Sequence, residues 1–63
     1  MKTEIYNYVL ANCDTNEIRG KWHAFITLCG YDFTEEGITE QHAKDLLAVN
    51  LSESKFIQAN FKK

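Results

Sequence analysis

Residues 14–30, DTNEIRGKWHAFITLCG, decide the fold, because they support two incompatible periodicities. With a period near 3.6, Ile18, Trp22, Phe25, Ile26 and Cys29 form one apolar stripe with Leu28 at its edge, and Arg19, His23 and Thr27 fall opposite. Asp14 and Glu17 have the spacing of a capping box, in which each side chain accepts from a free N–H of the first turn. Gly30 stands where a left-handed residue ends a helix. With a period of two, Trp22, Ala24, Ile26 and Leu28 alternate with Lys21, His23, Phe25 and Thr27 as in a strand. Gly20 also costs a helix about 1 kcal/mol relative to Ala. The paired start and stop signals favour a helix over about 15–29. The rival reading is a strand over 21–29 in a hairpin with 4–11.

Toward the N-terminus, residues 4–11 (EIYNYVLA) are rich in β-formers, and both faces of the alternation are largely apolar. They read as one strand, with a turn over 12–16 behind it. A lone strand cannot satisfy its own backbone, so it needs a partner in the chain or in a second copy. Toward the C-terminus, residues 30–38 read as a loop whose Tyr31 and Phe33 pack back on the core. Thr39 is placed to cap a helix over about 39–49, with Glu40 in its first turn. Ile38 and Ala43 have the spacing of a hydrophobic staple, and Ala43, Leu46 and Leu47 form its inward face. Beyond residue 50 two readings stand. Ser52 caps a third short helix bearing Phe56, Ile57 and Phe61, or one helix continues from Thr39 to Phe61 with Lys62 and Lys63 at its negative end. The fold class expected is α+β: one N-terminal strand and two helices, or three, in a small domain that forms an intertwined homodimer.

Composition narrows the function. Apolar residues are 44% and charged residues 25% of 63, which excludes a disordered tail as a description of the whole. The formal charge of −2, with no basic stripe, disfavours nucleic-acid binding. The opening MKTEIYNYVL lacks the clean hydrophobic run of a signal peptide, and no stretch has the length of a membrane span. A cytosolic protein with reduced Cys13 and Cys29 is expected. One Trp, three Tyr and four Phe are many large rings for a chain this short. A domain of this size hides only about 60% of the surface its unfolded chain exposes. Ile5, Tyr6, Tyr8, Leu10, Trp22, Phe25, Ile26, Phe56 and Phe61 are the expected dimer or partner interface, with Trp22 and Phe25 near the seam.

Catalytic and metal chemistry find little support in the sequence. Cys13, His23, Cys29 and His42 lack the paired close spacing of a zinc site. His23 falls opposite Cys29 on the helical reading, which separates a thiol from its base. Glu35, Glu36 and Glu40 read as a solvated acidic edge on a loop, and no glycine-rich phosphate loop exists. No cofactor and no metal are expected.

The stretch TEIYNYVLANCDTNEIRGKWHAFITLCGYDF, residues 3–33, together with the length of the chain, resembles the small early accessory proteins of lambdoid temperate phages encoded between the exonuclease and excisionase genes. The resemblance implies a non-enzymatic protein of the host cytoplasm, a small dimer of helices with a strand, that influences lytic development through a host or phage protein. It implies no active-site residue. Gly20-Lys21-Trp22 is also similar to a Gly-x-Trp feature of antirestriction proteins, although those are strongly acidic and this chain is not. A monomeric inhibitor of a host defence or metabolic protein is the alternative function, and a nucleic-acid-binding regulator a more distant one.

Overall fold

The structure, a computed structural model, describes residues 2–61. Two Xaa-Gly steps shape its centre. Arg19-Gly20 and Cys29-Gly30 each place two successive residues at positive φ, 54° then 81° and 54° then 83°. Positive φ at both central residues marks a type I′ turn, whose twist matches that of the strands it joins. The chain between and around these turns is an antiparallel meander of β1 (Asp14–Ile18), β2 (Lys21–Leu28) and β3 (Tyr31–Gly37), in that spatial order. Ile18 lies opposite Lys21 and Leu28 opposite Tyr31, so each turn closes its hairpin with two residues. Helix α1 (Lys2–Asn12) precedes the sheet, and α2 (Glu40–Ser52) and α3 (Lys55–Asn60) follow it.

The helix expected over 15–29 is therefore β1, a turn and β2. The glycines that a helical reading treats as a cost and a stop are the turn residues, and they divide the segment into two strands that satisfy each other's backbone. The period-two reading of 21–29 is correct for β2, but its partner strands are β1 and β3. The strand expected over 4–11 lies inside α1. Ile5, Tyr6, Val9 and Leu10 recur at helical spacing, and Ile5 and Val9 are fully buried where α1 packs on α2. Packing there overrides the β-propensity of the residues, which is a weak preference to begin with. The loop expected over 30–38 is mostly β3. Among the described residues the fold is α+β with three strands and three helices, which corrects the one-strand expectation. With three strands paired inside one chain, the unpaired strand is removed as a ground for an intertwined second copy, and the surplus of rings is the ground that stays.

Thr39 caps α2 as expected, its Oγ1 accepting from the His42 N–H at 3.1 Å. The staple does not form, since Ile38 is 79% exposed. The helix does not run on to Phe61. It stops after Ser52, and Ser54, two residues beyond the expected cap, accepts from the Ile57 N–H to start α3. Lys62 and Lys63 lie outside the described residues. Helix α2 spans β2 and β3 on one face of the sheet. It comes so close that a Cβ built on Gly37 would stand 2.5 Å from the Ala43 nitrogen.

Candidate interaction surface

The core consists of Ile5, Val9, Ala24, Leu28, Ala43, Leu47, Ala48, Leu51 and Ile57. Every member is aliphatic, so the rings are arranged around this nucleus. Tyr6, Trp22, Phe33 and Phe61 are half-buried against it. Tyr8 (43%), Phe25 (40%), Tyr31 (60%) and Phe56 (47%) are exposed.

Alternation along the strands sorts the sheet residues onto two faces. Trp22, Ala24, Ile26 and Leu28 of β2 share the helix-covered face with Tyr31, Phe33, Glu35 and Gly37 of β3. The open face carries Asp14, Asn16 and Ile18 of β1, Lys21, His23, Phe25 and Thr27 of β2, and Asp32, Thr34 and Glu36 of β3. Trp22 and Phe25, expected at one seam, thus stand on opposite faces. Ile26 lies with Trp22 against the core. On α1, Ile5 is buried within the chain, while Tyr6 and Leu10 are half-buried. The Tyr6 hydroxyl points to the Asp45 Oδ1 of α2 at 3.5 Å, the long limit of a hydrogen bond. Tyr8 meets Phe61 edge to face with centroids 5.3 Å apart, so these two expected residues do come together.

Phe56 has a partner that the interface expectation omitted. Its ring stands edge to face with Tyr31 at 5.5 Å and 80°, a preferred geometry for aromatic pairs. Tyr31, Asp32, Phe33 and Phe56 together line a shallow hollow of about 390 Å³ at the start of β3. The alternation of Tyr31, Asp32, Phe33 and Thr34 was the signal for a strand here, obscured by the glycine before it and the two glutamates after it.

The charges are distributed by the same alternation. Glu35 and Glu36 are neighbours in sequence but point to opposite faces. Glu35 accepts from the Asn50 side-chain amide at 2.8 Å, and Glu36 pairs with Lys21 at 3.1 Å on the open face. Asp32 accepts from the Thr27 hydroxyl, and Glu40 from the Thr15 hydroxyl at 2.6 Å. The expected acidic loop is thus an acidic strand followed by a helix N-terminus. Cys13 and Cys29 are free, half-buried thiols packed against the core, and burial pushes the Cys13 pKa up. Among the described residues, no three His, Cys, Asp or Glu side chains are grouped to hold a metal ion, and no helix is long and apolar enough to cross a membrane. No protein-family model, curated protein or solved structure matches this chain.

Proposed function

We propose that this chain is a non-enzymatic protein-interaction module. The observation that supports the reading best is the placement of the rings: the interior is aliphatic, and Tyr31 and Phe56, 60% and 47% exposed, pair at the surface beside Phe33. Exposed aromatic pairs beside a shallow apolar hollow are typical anchors for another protein. The open sheet face sets Asp14, Asp32 and Glu36 against Lys21 and His23, which favours a protein over a polyanion as partner. The phage setting, the host cytoplasm and an effect on lytic development belong to the same proposal and rest on the sequence resemblance alone.

Affinity capture with the tagged chain tests the proposal. Phe56→Ala and Tyr31→Ala are expected to leave the circular dichroism spectrum unchanged and to lower recovery of a stoichiometric partner at least tenfold, a loss of about 1.4 kcal/mol. Equal recovery by both variants, or no partner for the parent chain, would refute it.

A further inference from the structure

The two free edges of the sheet can be read residue by residue. In a two-residue hairpin, the residues flanking the turn exchange both backbone hydrogen bonds, and bonded and non-bonded pairs alternate from there. Leu28 and Tyr31 flank one turn, so Ile26 with Phe33 and Ala24 with Glu35 are also bonded pairs. The N–H and C=O groups of Asp32, Thr34 and Glu36 therefore point away from β2. The same reasoning from Ile18 and Lys21 turns Thr15 and Glu17 outward on β1. The central strand is consistent with both, because Lys21, His23 and Phe25 bond to β1 and Trp22, Ala24, Ile26 and Leu28 to β3. No described residue bonds to the outward backbone of Asp32, Thr34 or Glu36. A strand edge with three such residues in register is a template for a further strand.

The side chains along this edge specify what would pair there. Asp32 and Glu36 lie on the open face and Glu35 on the other, and among the described residues only Glu36 of the three has a cation, Lys21, across an exposed pair. Their partners among the described residues, the Thr27 hydroxyl for Asp32 and the Asn50 amide for Glu35, are neutral and do not compensate their charges. A second copy fits poorly. Antiparallel pairing centred on Thr34 sets Asp32 of each copy opposite Glu36 of the other. Centring on Glu35 opposes two glutamates, and centring on Phe33 sets Asp32 diagonally across from Asp32 and Glu36 of the other copy, still a like-charge neighbourhood. Like charges directly opposite destabilise a strand pair. On the helix side of the same edge, Tyr31, Phe33 and Phe56 open their hollow to an apolar side chain.

We propose that β3 accepts a fourth strand from a partner protein: an extended segment that alternates basic and apolar residues. Its basic side chains lie beside Asp32 and Glu36 on the open face, and one large apolar side chain enters the hollow of Tyr31, Phe33 and Phe56. The inference rests on the reading of the chain as an interaction module and names the surface and the chemistry of its partner.

Fluorescence anisotropy on the full chain tests it, with a labelled, end-capped probe Lys-Val-Lys-Phe-Lys-Val-Lys. The probe is expected to bind at least tenfold tighter than a peptide with Glu for every Lys, and at least tenfold tighter than one with the same residues unalternated. N-methylation of the probe's alternate amides should abolish binding. Thr34→Pro removes an outward N–H without breaking a bond to β2, a substitution sheet edges tolerate. It should keep the circular dichroism spectrum and weaken the probe at least tenfold. If that variant unfolds, the N-methylated probe decides the question alone. The double variant Asp32→Lys with Glu36→Lys should reverse the preference to the Glu peptide. Equal affinity for the unalternated or N-methylated peptide would reduce the effect to diffuse charge and overturn the proposal. So would a parent dimer that Thr34→Pro dissociates, since the edge would then belong to a second copy. A captured partner retained by Thr34→Pro but lost by Phe56→Ala would overturn strand addition while leaving the interaction module standing.

Discussion

Single residues in this chain read differently in sequence and in space. Cys13 follows α1 and leads into β1, half-buried against the core. Burial is the largest cause of its raised pKa, Asp14 and Glu40 add to it, and Lys44 opposes them. A raised pKa in the folded chain means the fold favours the protonated thiol. That contribution is complete below the ordinary value of 9.0 and is lost as pH rises through the folded value above it. Urea midpoints measured upward from pH 9.0 should therefore fall more steeply for the parent chain than for Cys13→Ala. Parallel curves would show that burial of this thiol does not couple to stability. At Gly37 the constraint is steric, because the first turn of α2 occupies the space a side chain would need.

At the scale of elements, caps and turns decide more than propensity. Helix α2 begins where Thr39 accepts from His42, and the Ile38 N–H donates to the Nδ1 of the same histidine at 3.2 Å. Removing the hydroxyl with Thr39→Ala should cost about 1 kcal/mol. A domain of this size should then melt roughly 4–8 °C lower by circular dichroism. No change would mean that water or the histidine satisfies the first turn equally well. The Thr39 cap was legible because it lies next to a clean helical pattern. The capping box at Asp14–Glu17 had the same spacing and was misleading, because Gly20 sits three residues beyond it. Helix α1 was illegible for a different reason. Its buried stripe of Ile5 and Val9 is built from β-branched residues, and it gains its stability from α2, a neighbour distant in sequence.

At the scale of the molecule, nine aliphatic residues form the core among the described residues, which extend over 36 × 20 × 17 Å. Stability scales as roughly 0.05–0.15 kcal/mol per residue, so a chain of this length has only about 3–9 kcal/mol. Leu47, buried to 1% exposure beneath the sheet, is central to that core. Leu47→Ala should cost about 2–5 kcal/mol. The melting temperature should fall by more than about 10 °C, or cooperative unfolding should disappear. Phe25→Ala, on the open face, should stay within about 0.5 kcal/mol of the parent. Comparable losses in the two variants would show that the rings are structural and would weaken the interaction reading. Of the candidate surface, incomplete burial of the rings was legible from length and composition, and Phe56, one of the residues expected at an interface, is exposed. Its pairing with Tyr31 required β3, which a loop reading had removed.

The amino-acid sequence by itself determined the surplus of large rings over available interior, the weak net charge and the Thr39 cap, since each depends on composition or on residues within one turn of each other; its expected fold exchanged strand and helix over residues 4–29. Which residues became strands, which faces the rings took and which strand edge stayed free were decided only by tertiary packing. Period-two and period-3.6 patterns coexist in residues 14–30, and the choice between them turns on backbone pairing and on burial against helices contributed by the far ends of the chain.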